Sequence, residues 1–303
     1  MVKPDKTTRP VAPSGVTTEP IRSDMAEWAA SECKGAAFAE VALAGASIGV
    51  PLLPVKGVLT ARQLYARVTD REMVDVDVRV RSRDLGRLCE AGAARGWVLI
   101  ERSRAYACAA FKVLGERVEL EAHVGPPGFC GLTVDAMIER ATQHVEPFGV
   151  PHLQPELHDH ALLLIVNAFK DQLVNASEGG LVDLARIAAL PDFKFERLAS
   201  LARECGVAAV AWLVGEWMLE RRSESRWRSL LDELGGRPNR RLYTAAFHAL
   251  AEKGRRPSLA LRLLVRAAPD TAAMRASALA VTLGWWFETI VSSPTLAIGR
   301  ISR

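Results

Sequence analysis

Long apolar runs are missing from this 303-residue sequence. A bilayer-spanning helix needs roughly 18–20 apolar residues in succession. The best candidate, Ala276 to Phe287, ends after 12 residues between Arg275 and Glu288. Helical membrane spans are therefore excluded, and no membrane partner is expected. The N-terminus carries Lys3, Asp5, Lys6 and Arg9 with no apolar stretch behind them, so a secretory signal is not expected and the chain is read as cytoplasmic. Cysteine is scarce: Cys33, Cys89, Cys108, Cys130 and Cys205 form an odd, scattered set without a C-x-x-C pair. That excludes a disulfide scaffold and argues against a zinc knuckle. Cys108 and Cys130 have no evident His or Asp partner, which argues against a thiol nucleophile. No internal repeat is found.

What remains is ordinary globular composition, 49% apolar and 24% charged, at a length suited to about two domains. Charge is unevenly spread. Residues 1–196 hold 22 basic and 26 acidic groups, whereas residues 197–303 hold 17 basic and 9 acidic. A basic second half either attracts an anionic partner or simply decorates solvated helix faces with arginine.

Residues 1–22, rich in Pro, Thr, Lys and Ser, read as a disordered tail. An Ala-rich helix is expected from Ser23 to about Ile48, then a buried strand at Pro51–Val55, then a helix over 58–67 with Leu59, Leu64 and Tyr65 inward. The segment VDVDVRVR (74–81) alternates strictly: Val74, Val76, Val78 and Val80 against Asp75, Asp77, Arg79 and Arg81. Period two over eight residues means a strand with one wet face. A helix at 83–95 follows, then two or three strands between Trp97 and Val124. The last, RVELEAHV (117–124), puts Glu119, Glu121 and His123 on one face. Beyond Gly125–Gly128 the pattern is helical, at 133–143, 156–174, 180–190, 193–205, 207–221, 225–234, 238–253, 256–267 and 271–291. The fold class expected is α+β: a small mixed-sheet α/β domain over 23–150, then an all-helical domain over 151–303, with the boundary near Pro147–Pro155.

Asp75 and Asp77 share one strand face with Cα atoms about 6.5–7 Å apart. Two carboxylates so placed repel each other and invite a divalent cation, and Mg²⁺ suits one or two carboxylates plus substrate phosphates. A neighbouring strand bearing Glu119 and Glu121 adds a third carboxylate, enough to hold two ions for in-line displacement at phosphorus. Upstream, a strand that ends in Lys56-Gly57 and turns into a helix is a phosphate cradle, with close backbone approach, a helix N-terminus and a point charge.

These segments, PLLPVKGVLTARQLY, REMVDVDVRV and VELEAH, resemble the uncharacterised-nucleotidyltransferase family, a branch of the polymerase-β-like nucleotidyltransferase superfamily. The resemblance covers about residues 36–190. It implies that Asp75, Asp77 and Glu121 hold two Mg²⁺ ions and serve catalysis, with Glu119 as the substitute for Glu121. Lys56, Gly57 and Arg71 would hold phosphates. The implied activity is transfer of a nucleoside monophosphate from a triphosphate, ATP by default, to the hydroxyl of an acceptor (a small molecule, peptide or RNA), with release of pyrophosphate. Arg79 departs from the family pattern, which favours an apolar residue there. It either joins the phosphate ligands or neutralises Asp77 and displaces an ion. Two alternatives stay open beside the main reading: a toxin-like enzyme that modifies RNA or tRNA, and a catalytically inactive nucleotide- or partner-binding module.

His152, His158 and His160 read as polar linker residues. His123 either orients the third carboxylate or the acceptor, or is a surface histidine. Trp212, Trp217, Trp285, Trp286 and the run Ala276–Phe287 read as core.

Overall fold

The computed structural model describes residues 19–125, 127–174, 179–235 and 268–292. The first helix, α1 (Glu19–Ser47), starts four residues inside the expected tail. Pro20 does not prevent this, because the first turn of a helix needs no amide donor there. The helix stops at Gly49, whose φ of +67° takes the left-handed conformation that a C-terminal turn requires.

Five strands form one sheet in the order β1 (Leu53–Val55), β2 (Val76–Arg79), β5 (Glu116–Glu121), β4 (Cys108–Val113), β3 (Val98–Ser103). β1 runs antiparallel to β2, β2 parallel to β5, and β5–β4–β3 form an antiparallel meander. Helix α2 (Gly57–Gln63) follows β1 directly, and α3 (Ser82–Ala94) follows β2. The valines behave as their spacing demands. Val76, Val78, Val80, Val118 and Leu120 are buried with Phe38 and Val41 of α1 and Leu85 and Leu88 of α3.

The opposite face corrects the expectation of a wet surface. Asp77 and Arg79 are only 4% and 2% exposed, because a second layer covers them. Val74 also departs from the pattern: it precedes the strand and is 80% exposed. The covering layer is helical: α4 (Val134–Arg140), α5 (Leu157–Val174), α6 (Gly179–Ile187), α7 (Phe195–Glu204), α8 (Ala208–Arg222) and α9 (Arg228–Leu234). Helix α5 is the hub, packed on α6, α7 and α8. Its N-terminus is fixed by Glu156, whose carboxylate accepts from the amides of His158 and Asp159, both at 2.9 Å. The core of this layer also takes in Leu53 and Val55 of β1, and Val124, Phe129 and Met137. It therefore runs across the expected boundary at 147–155.

That boundary region holds a short hairpin absent from the sequence reading, β6 (Thr142–His144) and β7 (His152–Gln154). The Leu153 amide donates to Leu52 O at 3.1 Å and ties the hairpin to the sheet. The three histidines are not linker residues; all are buried. His152 sits edge-on to Phe38 and Phe148. His158 pairs with Glu156 at 2.8 Å and accepts from the Lys194 amide. His160 faces the β1–α2 turn.

The expected helices at 238–253 and 256–267 lie outside the described residues, as do residues 1–18 of the expected tail. Helix α10 (Ala272–Ser292) is present, but within Ala276–Gly284 only Ala278 and Thr282 are buried, and Leu283 is 57% exposed. Within that stretch one narrow i, i+4 stripe packs inward; the side chains of Trp285, Trp286 and Phe287, expected in the core, lie outside the described residues. No helix among the described residues is long and apolar enough to cross a membrane.

Candidate active site

A cavity of about 690 Å³ opens between the sheet and helices α5 and α6, within the size range of small-molecule sites. Its sheet wall carries Asp75, Asp77 and Glu119, and its β1–α2 corner carries Lys56 and Gly57. The opposite wall is Leu164, Asn167 and Lys170 of α5 with Gly179, Gly180 and Asp183 of α6.

The parallel β2–β5 register explains how the carboxylates meet. Asp77 stands opposite Glu119 and Arg79 opposite Glu121. Side chains on one face of neighbouring strands are in reach of each other, so the first pair sets two like charges side by side. Asp75 adds a third. Burial, then the charges of Asp77 and Glu119, push the Asp75 carboxyl up to about 6. Positive charge near the cluster offsets this in part.

Part of that charge comes from Lys56, whose Nζ lies 2.6 Å from Asp77 Oδ1. Burial works against the ammonium, but the carboxylates of Asp77 and Glu121 outweigh it and hold the lysine above its ordinary pKa. Lys56 has φ +55° and ψ −141°, a conformation that side-chain-bearing residues rarely adopt. Gly57 is needed for another reason: a Cβ there would lie 2.9 Å from Met73 Cγ.

Glu121 and Arg79 are placed differently. The Arg79 guanidinium forms an ion pair with the Glu121 carboxylate and lies 4.0 Å from Asp77 Oδ1. Neither residue lines the cavity. Burial alone would raise the Glu121 pKa, but Arg79 and Lys56 outweigh it and hold the carboxyl well below the usual range. His123, beside them, is pushed down to about 4, chiefly by burial, and sits edge-on to Tyr106 rather than in the cavity.

Arg71 lines the cavity mouth, but its guanidinium is engaged by Asp183 of α6, with Nε–Oδ1 at 2.9 Å and Nη2–Oδ2 at 2.9 Å. The Tyr65 hydroxyl donates to the same carboxylate at 2.7 Å. Arg71 thus fastens the loop before β2 to the helical layer. Asp183, Lys170, Asn167 and His160 did not emerge from the sequence reading as site residues. Their signal was a line of polar side chains at helical spacing, His160, Asn167 and Lys170, within the apolar run of α5.

Among the described residues, no three His, Cys, Asp or Glu side chains converge closely enough to hold a metal ion. Two carboxylates are nevertheless enough for Mg²⁺, which completes its shell with water and phosphate oxygens. The donor set at the cavity wall, the carboxylates of Asp75 and Asp77, is of the kind that suits such a cation.

A family model described as uncharacterised nucleotidyltransferase matches residues 32–218. No curated protein matches the chain. Among solved structures, the solution structure of the antibiotic-resistance factor ANT(2'')-Ia is similar at 16% identity and a TM-score of 0.40, over 56% of this chain and 89% of that one. A crystal structure of ANT(2'')-Ia in complex with adenylyl-2''-tobramycin is similar at 17% identity and a TM-score of 0.40, over 54% and 91%.

Proposed function

The chain belongs to the uncharacterised nucleotidyltransferase family and is a nucleotidyltransferase, and on that premise we propose its donor, metal and site residues. The donor is a Mg²⁺-bound nucleoside triphosphate, ATP by default. The nucleoside monophosphate passes to an acceptor hydroxyl and pyrophosphate leaves. The observation that carries this reading is the convergence of Asp75, Asp77 and Glu119 with the Lys56-Gly57 turn and Lys170 on one cavity.

Asp75 and Asp77 would hold Mg²⁺, which when bound supplies charge neutralisation at the triphosphate. Lys56, released from Asp77, and Lys170 would meet phosphate oxygens, with Gly57 giving the chain close approach to them. Glu119, rather than Glu121, is the carboxylate proposed to complete the site and take the acceptor's proton. It faces the cavity, and its partner Arg117 is solvent-accessible, whereas Glu121 is closed off from the cavity and held by the buried Arg79. Arg79 enters as a support of Glu121, not as a phosphate ligand. The inactive-module reading is disfavoured, because Arg79 pairs most closely with Glu121, stands 4.0 Å from Asp77, and leaves Asp75 and Asp77 on the cavity wall. Positioning and charge neutralisation would supply most of the rate, as is general for such transfers. The division into an α/β unit (23–150) and a helical unit (151–303) belongs to the proposal too, with the nucleotide bound between them.

Calorimetric titration of ATP, CTP, GTP and UTP, with and without Mg²⁺, tests the reading against Asp75→Asn/Asp77→Asn. Mg²⁺-dependent binding of a triphosphate that the double variant loses supports it. Absence of binding to all four, or binding indifferent to Mg²⁺ and to the variant, overturns it.

A further inference from the structure

The β1–α2 turn raises a physical question. Lys56 is not glycine, yet it holds a φ of +55°, a strained conformation that persists only where the surroundings over-determine it. Its ammonium is pinned by Asp77 at 2.6 Å. Its backbone amide stands at the N-cap of α2, where no intrahelical acceptor is available. An amide partly removed from water in that position needs a partner from elsewhere.

The partner comes from the helical layer. Lys56 N donates to Nε2 of His160 at 3.4 Å, across 104 residues of sequence. His160 is 4% exposed. It lies in the first turn of α5, whose register is fixed by Glu156 and by the His160 N–H donation to Glu156 O at 2.9 Å. Burial keeps the imidazole neutral, with its pKa near 4, so a ring nitrogen is free to accept; an imidazolium has no acceptor to offer.

We propose that His160 is a positioning residue: its Nε2 holds the Lys56 amide and so keeps the Lys56-Gly57 turn in the shape that presents both residues to the cavity. The functional half of this inference rests on the phosphate-binding role given above to that turn. The structural half does not. His160 does not itself line the cavity and acts through Lys56, which does. By this route the helical layer sets the phosphate cradle as well as the opposite wall of the site.

The test uses the full chain with His160→Gln, which places an amide oxygen near the position of Nε2, and His160→Leu, which fills space without an acceptor. Hydrogen exchange of the Lys56 amide reads the turn, and titration with Mg²⁺–ATP reads the cradle. For His160→Leu the expected result is about tenfold faster exchange at Lys56, the size of one lost hydrogen bond, with a similar loss of affinity. His160→Gln should recover most of both, and the two variants should unfold at similar denaturant concentrations. Unchanged Lys56 exchange in His160→Leu would overturn the inference. So would a His160→Gln variant as defective as His160→Leu, which would mean that packing and not acceptance is at work. If the parent chain binds no triphosphate, the donor reading fails, while Lys56 exchange still decides whether His160 holds the turn.

Discussion

Across the β2–β5 seam Asp77 stands opposite Glu119, and two residues further along Arg79 stands opposite Glu121. The first pair is like-charged and faces the cavity; the second is oppositely charged and closed off from it. Charge in a sealed interior must be balanced within the protein, since water cannot balance it. Charge beside a cavity can be left in excess, to be balanced by what enters. One strand face thus holds a structural half and a half adapted to binding, only one side-chain repeat apart.

The sealed half should break hardest. Arg79→Met leaves the Glu121 carboxylate buried and unpaired, and should cost about 3–5 kcal/mol of unfolding free energy by urea titration. Arg79→Met/Glu121→Leu, which removes both charges, should return most of that loss. If the single variant is as stable as the parent, the Arg79–Glu121 pair is not structural. At the open half, Asp75→Asn should lower nucleotidyl transfer by about 10²–10³-fold while leaving the unfolding midpoint at neutral pH no lower than that of the parent. A loss of stability in Asp75→Asn comparable to that in Arg79→Met would erase the distinction between the halves.

Acidity sharpens the same comparison. The folded Asp75 carboxyl keeps its proton up to about pH 6, against an ordinary value of 3.8. Between those values the folded chain binds more protons than the unfolded one, so metal-free stability should fall as pH rises from about 4 to 6. An effect on the order of 1–2 kcal/mol is expected, reduced by the partial exposure of the group. Unfolding midpoints across that window, in chelator, should show the slope in the parent and not in Asp75→Asn. The smallest effect belongs to Glu119→Gln. It removes a like charge opposite Asp77 but also the 2.8 Å ion pair with Arg117, so stability should stay within about 1 kcal/mol of the parent while transfer falls, a split that unfolding and pyrophosphate-release measurements read separately.

How much of this was legible beforehand follows from how far apart in the chain the partners lie. The β2 alternation, the Lys56-Gly57 turn and the paired glutamates are local patterns, and they gave the sheet, its apolar face and the carboxylates. Local patterns could not say which part of the polar face would be covered, because the cover is α5, some 80 residues on. Arg71 entered as a phosphate ligand through the family resemblance, and its pairing with Asp183, 112 residues away, leaves no mark in the local pattern. Glu121 and Glu119 were indistinguishable by alternation; only the register against Asp77 and Arg79 separates them. The β6–β7 hairpin escaped because its strands have three residues each, too few for a period to register.

The two-faced strand pair also sets how this chain can vary over time. An inserted or deleted residue within β2 or β5 would exchange the faces from that point onward, turning valines toward the cavity and carboxylates into the packing of α1 and α3. Substitutions there can be absorbed one at a time, but a change of length cannot. Homologous sequences should accordingly gain and lose residues in the β3–β4 turn or after Gly125, while the span from Val76 to Arg79 keeps its length even where its letters change.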